Sequence, residues 1–132
     1  MSNKKRWRID FDWLNTYVVL IASERQFKLF LENSDNDLMG EAPEWGSYPG
    51  FVAEVVQEDG GMYFLVCFTN QMTAHDDIVH ESTHLANSIL SSRGIPTGHQ
   101  NDELMAYTVA YLSRCIVNCL GADNVYHDEG GE

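Results

Sequence analysis

The residues with the most chemistry in this chain are His80, Glu81 and His84, in the run His80-Glu81-Ser82-Thr83-His84. If the segment is helical, an i, i+4 spacing puts both imidazoles on one face, one turn apart. Two imidazole nitrogens can then meet one metal ion at about 2.0 Å, and a rigid helix holds them there at little entropic cost. Zn2+ is the ion this geometry suits. Glu81, projecting to the side, would stand close enough to take a proton from a water on the ion.

The surrounding residues favour a helix. Thr73 is positioned to cap it, Asp76 and Asp77 occupy the first turn against the positive end of the helix dipole, and Gly94 followed by Pro96 stops it, which predicts a helix over about 74–93. On its wheel Ile78, Val79, Leu85, Ala86, Ile89 and Leu90 form one apolar arc. His80 and His84 lie on the other side with Asn87 and Ser91, so a metal pair lining a cleft and a plain solvated face are the two competing readings.

A third protein ligand must come from elsewhere. After GIPTGHQ, Asn101 can cap a further helix running to Leu120 and ending at Gly121, with Asp102 and Glu103 in its first turn. Its side chains are apolar nearly all round, which predicts central burial. Ala106 and Ala110 lie near Glu103 on the wheel, and such small residues would let the histidine helix approach closely enough for Glu103 to complete three ligands, with Asp102 as substitute. An acid that merely favours the helix dipole is the alternative.

Together, His80-Glu81-x-x-His84, the Gly94-containing turn and Asn101-Asp102-Glu103-x-x-Ala106-Tyr107 resemble the zincin metallopeptidase core, specifically its gluzincin branch, over about residues 62–120. Small zincin-like domains of bacteria and phages carry the most similar pattern. The resemblance implies His80, His84 and Glu103 as Zn2+ ligands, a water in the fourth position, Glu81 as general base and metal-assisted hydrolysis of a protein or peptide. Tyr107 and His99 are the candidates for oxyanion or substrate contact. His75 reads as a helix-start residue, and Cys115 with Cys119 as core packing on an apolar helix.

The remaining elements are those that must position this constellation. Tyr17–Ala22 reads as a buried strand; Ser23 with Gln26 is a capping box for a helix to about Glu32. Residues 33–50 form a long loop in which Trp45 and Tyr48 either pack it onto the body or serve a lid or substrate-contacting role. Phe51–Gln57 and Met62–Thr69 are strands joined by Glu58-Asp59-Gly60-Gly61, a hairpin signal. Were Met62–Thr69 a sheet edge, a peptide could add to it as a further strand. The expected order is β-α-β-β-α-α, an α+β fold with a small sheet and packed helices.

The chain has 132 residues, 44% hydrophobic and 21% charged, as in one ordinary domain, with residues 1–8 a basic tail and 122–132 an acidic one. Burial at this length makes a metal unnecessary for folding alone. A net charge of -12 argues against nucleic acid, and no apolar run approaches the roughly 20 residues that span a bilayer. The odd set Cys67, Cys115 and Cys119 and the absence of a signal-like start favour a reducing, cytoplasmic setting. The reading is a zinc-dependent hydrolase, against a non-catalytic zincin-like binding module that engages a protein partner through its acidic surface and long loop.

Overall fold

The computed structural model describes residues 5–33, 35–96 and 98–127. The fold is α+β, and the chain divides into two compact units, Met1–Asn70 and Gln71–Glu132.

The first unit is built on a mixed five-stranded sheet. Its elements are β1 (Arg6–Phe11), β2 (Thr16–Ile21), α1 (Glu24–Glu32), β3 (Asp37–Leu38), β4 (Gly50–Val56) and β5 (Met62–Phe68). The strand order is β1-β2-β5-β4-β3; β2 and β5 run parallel and every other neighbouring pair is antiparallel. The basic cluster expected as a tail is thus in part a strand: Arg6 and Arg8 alternate with Trp7 and Ile9 along β1, and Ile9 and Phe11 are buried. Charged and apolar residues at period two are a half-buried edge strand, a pattern that the run of lysines and arginines hides.

One sheet face carries Val19, Ile21, Phe51, Val55, Tyr63, Leu65 and Cys67, packed with Phe27 and Phe30 of α1. Ser23 caps that helix as its type predicts, its Oγ accepting from Gln26 N–H at 3.1 Å. Trp45 joins the same core against Phe27 and Phe51, so the loop is anchored there, whereas Tyr48 is exposed. The hairpin forms where the glycines placed it, with Gly60 at φ +89°. Met62–Phe68, however, is a central strand between β2 and β4, so it offers no edge to a peptide. Cys67 is buried in the core, and that burial pushes its thiol pKa well up.

The second unit contains β6 (Thr73–Ala74), α2 (His75–Ser92), α3 (Asp102–Leu120) and β7 (Val125–Tyr126). Thr73 does not cap α2. It is buried in β6, pairing in parallel with Val125, and Ala74 takes the cap position without a side-chain bond. The other end closes as expected: Gly94 at φ +72° donates to Ser91 O and Ile95 N–H to Leu90 O, the paired bonds of a Schellman stop.

α2 packs against α3. The latter is not buried all round: Thr108, Leu112 and Ile116 are its buried residues, an i, i+4, i+8 stripe. Asn101 precedes it but gives α3 no side-chain cap, its Nδ2 donating to Pro96 O at 2.6 Å instead. Among the described residues no helix is long and apolar enough to cross a membrane.

Candidate functional site

α2 places its two histidines as the spacing requires. His80 and His84 are both exposed, on a stripe with Asn87 and Ser91, while Ile78, Leu85, Ala86, Ile89 and Leu90 are buried. The two Nε2 atoms stand 3.2 Å apart, with ring planes at 81°. Without an ion, that separation is a hydrogen bond in which one Nε2–H donates to the other ring. With both Nε2 atoms unprotonated, it is the bite that a tetrahedral ion needs at about 2.0–2.1 Å from each.

Glu81 sits one residue round the helix, about 100° away, and its environment is opposite. Its side chain is 9% exposed against 66% for His80, and Oε2 lies 3.9 Å from His80 Nε2. Burial raises its pKa above the ordinary carboxylate value; His80 and His84 oppose that rise and Asp77 adds to it. A carboxyl held partly out of water beside two imidazoles is suited to hold or accept a proton.

Glu103 does not join this group. Among the described residues no three His, Cys, Asp or Glu side chains converge where they could hold a metal ion. The cause is the orientation of α3. Its buried stripe begins at Thr108, five residues beyond Glu103, which at 100° per residue puts the carboxylate roughly 140–220° round the helix from that stripe. Glu103, Ala106, Tyr107 and Ala110 are all exposed, and Tyr107 is 75% so. The small residues expected to allow a close helix contact, Ala106 and Ala110, are on the outside. Asp102 is exposed too and lies 3.4 Å from Nδ1 of His99, whose side chain is fully exposed.

The zincin resemblance is therefore corrected: α2 carries a close pair of exposed histidines, and among the described residues no group of three ligands is assembled around it. The pattern around Asn101-Asp102-Glu103 reproduced a motif's spelling without its geometry, because a first-turn acid and a following alanine are common in any amphipathic helix.

His75, expected as a polar helix-start residue, stacks on His127 with ring centroids 4.5 Å apart. The β6–β7 pairing brings them together, a long-range contact with no local sequence signal. Neither a family model, nor a curated protein, nor a solved structure matches this chain.

Proposed function

We propose that α2 carries a divalent transition-metal site, suited to Zn2+, in which His80 and His84 are the protein ligands, and that the protein is a metal-dependent hydrolase of a protein or peptide with Glu81 as its base. The observation that carries this reading is the 3.2 Å separation of the two Nε2 atoms with the buried Glu81 carboxyl beside them.

The ion, when bound, would supply Lewis acidity to the groups that complete its shell. The chain's own residues do the rest. The helix fixes the two imidazoles with no loop to order. Glu81, shielded from water, holds its proton more readily than an exposed carboxylate and so can take one up and give it back. Two protein ligands leave much of the shell to water and substrate, fewer than the three that catalytic zinc sites commonly use.

That shortfall favours a second reading, a non-catalytic module that engages a protein partner through its acidic surface and long loop, whether or not the histidines hold metal. One set of measurements separates the two. In chelator-free buffer the hydrolase binds about one equivalent of Zn2+, His80→Ala and His84→Ala lose it, and Glu81→Gln keeps the zinc while losing cleavage of a fluorogenic peptide library. Zinc binding without cleavage by the wild type supports the module. A chain that neither binds Zn2+ nor cleaves refutes the hydrolase.

A further inference from the structure

The first unit contains an open cavity of about 500 Å3 that the histidine chemistry does not touch. It lies where β1, the residues after α1 and the β4–β5 turn meet, and Arg6, Arg8, Tyr17, Asp35, Asn36 and Gln57 are among its lining residues. Its size is in the range of small-molecule sites.

Its charge is unusual for this chain. Two of the eight basic residues in the whole sequence, Arg6 and Arg8, line it, in a protein of net charge -12. Cations along an edge strand guard it against pairing with other strands. Edge protection, however, asks only for exposed charge, and here the cations are built into an aromatic stack. The Arg8 guanidinium lies 3.8 Å over the ring of Tyr17, which stacks in turn on Tyr63 at 4.6 Å and 14°. A guanidinium attracted through its face keeps its N–H donors in its plane, so only the Nε–H given to Asp10 at 2.7 Å is spent by that ion pair. Arg6 stands over Phe30 at 5.6 Å and makes no ion pair with a described residue.

The polar side of the cavity is also fixed. Tyr63 donates its hydroxyl to Asn36 Oδ1 at 2.6 Å, and Asn36 Nδ2 donates to Phe30 O at 3.3 Å, which sets the amide's orientation. Asp35 takes the Glu58 N–H on Oδ1 at 3.2 Å, leaving Oδ2 as an acceptor. Two guanidinium groups, a carboxylate oxygen and side-chain amides around one cavity call for a ligand with an oxyanion at one part and hydrogen-bonding groups at another. The acidic chain repels a long polyanion but leaves a compact one within reach of the local cations.

We propose that this cavity binds a small organic oxyanion, a carboxylate or phosphate monoester attached to a hydrogen-bonding body. The arginines hold the anion through in-plane N–H pairs, the geometry that guanidinium shares with carboxylate and phosphate. Asp35, Asn36 and Gln57 meet the body.

The test is an NMR titration of the full chain with adenosine monophosphate and with N-benzoylglycine, each beside its uncharged counterpart, adenosine or the benzoylglycine amide. Saturable shifts confined to the cavity lining, in β1, Tyr17, Asp35, Asn36 and Gln57, with one anion and not its neutral counterpart support the proposal, and the responding anion identifies phosphate or carboxylate. Arg6→Gln and Arg8→Gln should each weaken that binding at least tenfold. Gln57→Glu, which keeps both arginines and adds a carboxylate to the lining, should weaken it by a similar factor and covers the case in which an arginine variant fails to fold. Absence of saturable shifts with both anions, equal binding of the neutral compounds, or affinity unchanged in the folded variants overturns it.

Discussion

Replacing His80 by Ala tests the metal reading at its one geometric premise. Half of the 3.2 Å between the Nε2 atoms is 1.6 Å, so bonds of about 2.0–2.1 Å to both nitrogens close an angle of roughly 100–106° at the ion, near tetrahedral. The wild-type pair therefore needs little rearrangement to chelate. With His80 removed, His84 is a single exposed imidazole, and Zn2+ affinity should fall at least a hundredfold, about 2.7 kcal/mol. Calorimetric titration in chelator-free buffer measures this directly. A second variant isolates spacing from composition. Asn87 is on the same exposed stripe, so H84A/N87H retains two histidines on that stripe but separates them by seven residues, about 10 Å along the axis. It should bind no better than His84→Ala. Linkage gives an independent readout: at zinc a hundred times its dissociation constant, the folded state gains about 2.7 kcal/mol, visible as slower amide exchange in α2. If His80→Ala binds zinc as tightly as the wild type, or if H84A/N87H binds as well as the native pair, the chelate geometry is not what holds the ion and the reasoning fails.

Three further outcomes follow from the fold. Burial lifts Tyr63 from 10.0 to about 12, with Tyr17 adding to the rise, so its neutral phenol stabilises the native state by about 2–3 kcal/mol below pH 10; that contribution is lost as pH rises through 12. Urea unfolding followed by fluorescence of Trp7, Trp13 and Trp45, all in the first unit, should lose stability over that window, and Tyr63→Phe should flatten the loss. Gly94→Ala should cost about 1–2 kcal/mol by circular dichroism melting, from backbone strain at φ +72° alone, since a Cβ there meets nothing within 4 Å. Ser23→Ala should cost about 1 kcal/mol by removing the bond to Gln26 N–H, with no effect on Zn2+ binding.

The sequence made legible those features that are written locally. The Ser23 cap, the Gly60 hairpin and the Gly94 stop each depend on residues within a turn of one another, and each formed where its residues stand. The histidine face of α2 was legible for the same reason, since an apolar arc fixes the polar side of a helix. What failed was long-range. Nothing near Thr73 announces Val125, so a buried strand pairing looked like a helix cap. Nothing in the apolar residues of α3 says which of them face inward, and a helix with alanine and tyrosine on its exposed side reads as buried all round. The Glu103 assignment inherited that error. Along β1 the charges masked an alternation that only the burial of Ile9 and Phe11 reveals.

Glu81 ties the candidate site to the energetics of the fold. A helix position buried this far would ordinarily carry leucine or alanine, as Leu85 and Ala86 do one turn later. A carboxylate there gives up hydration, and the ion pairs of the described residues offer it only His80, at 3.9 Å, in return. Burial raises its pKa above the ordinary carboxylate value, and His80 and His84 pull against that rise. A cation held by His80 and His84 would act in the same downward direction as the two imidazoles. The two histidines and the glutamate are coupled through charge, since both imidazoles oppose the rise that burial gives the Glu81 carboxyl.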